Sequence, residues 1–164
     1  MIEEFLDILT RYQGIIHKVN LVYFRDKTDR EDNFQEIVFN LWKSFPRLKN
    51  KESIGSWIYA VAINTSISGF KKGIHRHVEY YDNVPDVMIN DDQAETLEQN
   101  ARILLEAIHS LNEIDKSVML LYLEEKSYSE IASILGMTVS NVGVRINRSK
   151  ELLKHKIYQL ENGK

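Results

Sequence analysis

The chain contains no cysteine and, in 164 residues, only two prolines and seven glycines. Without cysteine there is neither a disulfide framework nor a thiolate metal site. The five histidines are scattered. Only His75 and His77 lie close together, and no third histidine falls at a useful helical spacing from them, so no metal is expected. No run of eighteen apolar residues occurs, which argues against a membrane-spanning helix. The opening Met-Ile-Glu-Glu-Phe-Leu-Asp has neither the basic start nor the apolar stretch of a signal peptide, so a cytoplasmic protein is expected. A glycine-rich phosphate loop and a nucleophile elbow are also missing. Nothing here points to an enzyme, a cofactor or a small-molecule substrate.

What the chain does have is helical periodicity. Hydrophobic residues make up 43% of it. They recur at helical spacing in two blocks, so the expected fold is all-α, with two small helical domains joined by an acidic linker. In the first block Phe5, Leu6, Leu9, Tyr12, Ile16 and Val19 form one stripe, interrupted by Gly14. Phe34, Ile37, Val38, Leu41, Trp42 and Phe45 form a second, with Glu31, Asp32, Gln35, Glu36 and Asn40 on the outer face and Pro46 as the stop. A basic loop leads to a third helix, with Ile54, Trp57, Ile58, Val61, Ala62 and Thr65 inward and Lys71-Lys72 at its end. In the second block helices are expected around Leu97 to Ser110 and Asn112 to Glu124.

Charge separates the blocks. Residues 1–73 hold 11 basic and 9 acidic side chains, residues 74–100 hold 1 and 7, and residues 101–164 hold 9 and 8. The acidic middle contains Val84-Pro85-Asp86 and Asn90-Asp91-Asp92 and little apolar periodicity, so it reads as a linker. The expected boundaries are 1–75, 76–95 and 96–164.

The segment from Ser127 to Lys150 carries the clearest functional pattern. Ser127 and Glu130 form a capping box that opens a short helix with Ile131, Ile134 and Leu135 on one face. Gly136 stops it, Thr138 can cap the helix that follows, and small Ala132 suits a close crossing. This is the pattern of a helix-turn-helix. On the second helix Val139, Val142, Ile146 and Leu153 face the core, while Ser140, Asn141, Val144, Arg145 and Arg148 lie opposite, near the end that a recognition helix presents to a major groove. From Thr138 to Tyr158 there are five basic residues and one acid, in a chain whose net charge is -3.

Together these motifs resemble an extracytoplasmic-function sigma factor, the minimal two-domain class of bacterial RNA polymerase specificity subunits. Asp29-Arg-Glu-Asp-Asn-Phe-Gln-Glu-Ile-Val-Phe-Asn-Leu-Trp42 resembles the family's acidic, glutamine-containing helix. Trp57-Ile-Tyr-Ala-Val-Ala-Ile-Asn64 resembles the next helix, in which a tryptophan opens the motif and an asparagine follows seven residues later. Leu111 to Leu153 resembles the family's C-terminal conserved domain.

The resemblance implies roles for particular residues. Asp32, Gln35, Glu36 and Asn40 would dock on the clamp of the polymerase largest subunit. Lys49, Asn50, Lys51, Ser53, Ile54, Asn64, Lys71 and Lys72 would hold the minus-ten promoter element as single strand, which needs pockets, stacking surfaces and a cationic track. Tyr59 is a candidate stacking platform, and helical phase places Trp57 with the core. Thr138, Ser140, Asn141, Val144 and Arg145 would read the minus-thirty-five element in duplex form, with Arg148 and Lys150 nearer phosphates. Core RNA polymerase, promoter DNA and an anti-sigma factor, commonly membrane-anchored in this family, are the implied partners.

The chain departs from the family pattern at Ile63, Ser68 and Asn112, where arginine, aspartate and proline are usual. A rival reading is a helix-turn-helix regulator that binds duplex DNA unaided. A net-acidic chain should bind phosphates poorly by itself, which weighs against that rival.

Overall fold

The computed structural model describes residues 1–73 and 92–163, with the side chains of the second stretch from Leu97 onward. Seven α-helices and two single turns of 3-10 helix account for the described secondary structure, and no strand occurs among the described residues. The helices form two compact units, three in the first and four in the second. His75, His77 and the linker up to residue 91 lie outside the described residues. Residues 92–95, expected in the linker, are helical, because the first helix of the second unit begins at Asp92.

In the N-terminal unit α1 spans Ile2–Tyr23, α2 Lys27–Ser44 and α3 Ile54–Lys71. The Asp26 carboxylate accepts from the Thr28 amide at 3.0 Å and opens α2. One turn later the Arg30 guanidinium donates to the carbonyls of Phe24 (3.2 Å) and Arg25 (2.5 Å), satisfying acceptors that the end of α1 leaves over. Burial lowers the Arg30 pKa, and the neighbouring acids Asp26, Glu31 and Asp29 oppose that shift. Ile16, Val19, Ile37, Leu41, Ile58, Ala62 and Ile63 form the apolar centre. Leu6, expected inward, is exposed, and Ile8 is buried.

The core also holds a polar bridge that no hydrophobic pattern shows. Asn33 of α2 donates to Asn20 of α1 at 2.7 Å and to Ser66 of α3 at 2.8 Å, and Ser66 donates in turn to the Ala62 carbonyl. One side chain thereby ties all three helices together.

Gly14 lies in the interior of α1, and a Cβ added there would meet nothing within 4 Å. Gly14→Ala should therefore raise stability by about 0.5–1 kcal/mol, the usual helix-interior difference between the two residues. A higher urea midpoint at constant slope is the expected result.

In the C-terminal unit α4 spans Asp92–His109, α5 Glu113–Leu123, α6 Tyr128–Leu135 and α7 Val139–Asn162. Asn112 stands where the resemblance expects proline, and it caps α5 by accepting from the Asp115 amide at 2.8 Å. The chain leaves α5 through Glu125, whose φ of 63° is in the left-handed region. The Lys126 amide then bonds back to the Leu121 carbonyl at 3.1 Å. Helix α7 packs against α4, α5 and α6 and inserts Val142, Ile146, Ser149 and Leu153 among them. Val139, expected inward, is 50% exposed. It is the first residue of α7 and lies at the edge of the buried arc that those four residues define.

Candidate nucleic-acid interface

The turn between α6 and α7 is built by local bonds. The Ser127 hydroxyl accepts from the Glu130 amide at 3.0 Å, and the Glu130 carboxylate accepts from the Ser127 amide at 3.2 Å. Gly136 ends α6 at φ 68°, the left-handed region that glycine enters without steric cost. Thr138 accepts from the Asn141 amide at 3.0 Å and opens α7. Gly143 of α7 faces Tyr128 of α6, and a Cβ added there would sit 3.5 Å from the ring, an ordinary van der Waals contact.

The backbone and hydroxyl bonds from Ser127 hold the Glu130 carboxyl below its ordinary pKa. A lowered folded-state pKa favours folding above the ordinary carboxylate range, and that contribution disappears as pH falls through the folded value. Glu130→Gln should keep an acceptor at the cap and remove this part of the acid sensitivity. Melting curves of the two proteins should converge on acidification, and parallel curves would disprove the linkage.

Ser140, Asn141 and Val144 stand exposed on the first turns of α7, with Val144 61% exposed. Asn147 is exposed beside them and was not singled out by the sequence. Arg145 and Arg148 do not both face solvent as expected. Asp115, which is 1% exposed, accepts from Arg145 at 2.8 Å through Oδ1 and from Arg148 at 3.0 Å through Oδ2. The Arg145 side chain is 23% exposed and the Arg148 side chain 52%, so Arg148 is the more open of the two. Lys150 is on the other side of the helix, with its ammonium 4.5 Å from the centre of the Tyr122 ring and its pKa raised by a hydrogen bond to Tyr122. Thr138 serves as a cap.

In the N-terminal unit Lys49, Asn50, Lys51 and Ser53 are exposed around the 3-10 turn Lys51–Ser53. Asn50 caps that turn by accepting from the Glu52 amide at 3.0 Å, and Lys51 pairs with Glu4 of α1. An exposed pair of this kind contributes little and opens readily. Ile54 is half-buried, and Asn64, Lys71 and Lys72 are exposed further along α3. Seventeen residues at helical rise put Lys71 about 25 Å from Ile54.

The aromatic expectations fare differently. Tyr59 is 4% exposed and cannot serve as an open stacking platform. Trp57 is half-buried, tilted at 42° to Phe45 with ring centroids 6.4 Å apart, and keeps part of its surface in solvent. Ile63, which replaces the usual arginine, is buried in the apolar centre.

On α2 Asp32, Gln35 and Glu36 are exposed as expected. Asn40 is half-buried and donates to Thr65 of α3 at 3.0 Å, so it braces two helices. Sequence reasoning missed Phe39, which is 53% exposed with the Lys43 ammonium 4.7 Å from its ring centre. Its departure from the inward spacing of Ile37 and Leu41 is the signal that marks it.

No helix among the described residues is long and apolar enough to cross a membrane, and no cluster among them could hold a metal.

An all-helical chain whose C-terminal unit presents a capped helix-turn-helix, with a separate three-helix unit before it, is a DNA-binding protein of the transcription machinery. Two family models match it: sigma-70 region 2 over residues 8–82 and sigma-70 region 4 over residues 101–153. The chain is 26% identical over 166 residues to the ECF RNA polymerase sigma-E factor of Haemophilus influenzae, covering 93% of this chain and 87% of that one. It is 23% identical over 170 residues to the ECF RNA polymerase sigma factor SigW of Bacillus subtilis, covering 96% and 91%. The solved structure of CnrH in complex with the cytosolic domain of CnrY shares the fold, with a TM-score of 0.65 at 15% identity over 94% of this chain and 88% of that one. The chain belongs to the extracytoplasmic-function sigma factors of the sigma-70 family. As such it binds core RNA polymerase and promoter DNA and directs transcription initiation.

Proposed function

We propose that the two helical units divide promoter recognition between them, with core docking on the first and base reading on both. The observation that carries this is the exposed face of Ser140, Asn141, Val144 and Arg148 at the start of α7, behind a turn built of two caps and a left-handed glycine. It is the end of a recognition helix that enters a major groove, here that of the minus-thirty-five element. The N-terminal unit would hold the minus-ten single strand along Lys49, Asn50, Ser53 and Ile54, the exposed part of Trp57, and Asn64, Lys71 and Lys72. Asp32, Gln35, Glu36 and Phe39 would form the polymerase-docking face, polar with one apolar anchor.

The protein would act without catalysis of its own, in the cytoplasm. An anti-sigma factor would restrain it. Support for that partner comes from the family resemblance and from CnrH, which was solved bound to the cytosolic domain of CnrY.

Run-off transcription with purified core enzyme on a genomic promoter pool tests the whole reading. Initiation at a limited promoter set is expected, and unselective or absent initiation would overturn it. For the docking face, the triple change Gln35→Ala, Glu36→Ala and Phe39→Ala should weaken core association at least about tenfold, as loss of an interface anchor does, without moving the unfolding midpoint. Unchanged core affinity would discard that face.

A further inference from the structure

We propose that Asp115 is a specificity-determining residue of the recognition helix: by holding Arg145 against the domain it leaves base reading to Asn141 and Val144, and so directs this helix to A·T base pairs. The inference rests on the reading of α7 as the minus-thirty-five reader.

Arginine is the side chain best suited to guanine, through a bidentate contact with the O6 and N7 acceptors. To make that contact Arg145 must offer two parallel donors to the groove. In this domain Arg145 donates to Asp115 at 2.8 Å, and its Nε is buried with no hydrogen-bond partner among the described residues. Asp115 is itself fixed. Its amide donates to Asn112 at 2.8 Å, its Oδ2 accepts from Asn112 at 3.0 Å and from Arg148 at 3.0 Å, and it is almost wholly out of solvent. Pulling Arg145 into the groove would leave Oδ1 of this buried carboxylate with only the 3.4 Å contact from Arg148, at a cost in charge compensation that holds Arg145 in place.

Arg148 is held on one side only. Its remaining donors reach solvent, the geometry of a phosphate contact that positions the helix without reading sequence. On the open face are an amide and an isopropyl group. Asparagine makes its bidentate contact with adenine, and an apolar side chain reads the 5-methyl group of thymine. Val144 is 61% exposed at the centre of that face, a position where an apolar side chain gains nothing from the fold.

The experiment is selection of bound promoters by the holoenzyme from a pool randomised in the minus-thirty-five element. The unaltered protein should enrich A·T pairs and no guanine dependent on Arg145. Replacing thymine by deoxyuridine in the enriched element should weaken binding about 3–10-fold, since only the methyl group is removed. Asp115→Asn keeps the shape and the hydrogen bonds to Asn112 but releases the charge of Arg145. It should add a guanine to the enriched element, and the double change Asp115→Asn with Arg145→Met should lose it again.

A guanine enriched by the unaltered protein and lost on Arg145→Met would overturn the proposal, and this arm decides even where Asp115→Asn fails to fold. Thymine and deoxyuridine binding equally would remove Val144 from it. Core binding without any enrichment in the upstream element would instead sink the reading of α7 on which the inference rests.

Discussion

Replacing Asn33 by alanine should destabilise the N-terminal domain by about 2–4 kcal/mol, more than most single truncations of a small polar side chain. The amide of Asn33 is the donor to both Asn20 and Ser66, at 2.7 and 2.8 Å, and all three residues are buried. Removing it leaves the side-chain oxygen of Asn20 in a buried three-helix junction without that donor. Ser66 keeps its bond to the Ala62 carbonyl, so the loss falls mainly on Asn20. A buried acceptor left unmade costs about 1–3 kcal/mol, and the emptied volume adds to it.

The double change Asn20→Ala with Asn33→Ala should cost clearly less than the two single changes added together, because the second deletion removes the group that the first left unsatisfied. Urea unfolding of the four proteins measures the cycle. Strict additivity would show that the bridge is not a unit. With the docking face and the minus-ten track assigned to α2 and α3 as proposed, Asn33→Ala should also lower the yield of active holoenzyme at higher temperature, without changing which promoters are used.

That bridge was invisible to hydrophobic periodicity, and the reason is general. The helix-turn-helix was legible because each of its devices is local: Ser127 to Glu130, Gly136, and Thr138 to Asn141 act within three or four residues. The Asn33–Ser66 and Asp115–Arg145 bonds join positions 33 and 30 residues apart, and no single-helix pattern carries that pairing.

Helix α3 shows a second limit. Periodicity assumes one inward face, but α3 packs against both α1 and α2. Its buried arc therefore widens to take in Tyr59, Ile63, Ser66 and Gly69, and Tyr59 is lost as a stacking candidate while Trp57 is pushed toward the rim. On α2 the outer face was read correctly at Asp32, Gln35 and Glu36. Asn40 failed because its partner, Thr65, comes from another helix.

Helix α7, the proposed reader, is also the centre of its domain, and that double use sets the second large effect. Ile146 is completely buried on the side of α7 that packs against the rest of the unit. Ile146→Ala should cost about 2–5 kcal/mol, the range for emptying a well-packed aliphatic site. A small domain with about 5 kcal/mol to lose then spends a measurable fraction of its time unfolded on warming. Recognition of the minus-thirty-five element should weaken as the domain unfolds, while core association through the proposed docking face on α2 persists.

Val144→Ala is the opposite case. It removes an exposed side chain, so stability should hold within about 0.5 kcal/mol while upstream-element selectivity falls. Thermal melts beside promoter binding by each holoenzyme separate the two. Ile146→Ala should lose both, with upstream binding recovered on cooling, and Val144→Ala should lose selectivity at every temperature. If Ile146→Ala left upstream binding intact at a temperature where the domain had melted, α7 would not be the helix that reads the promoter.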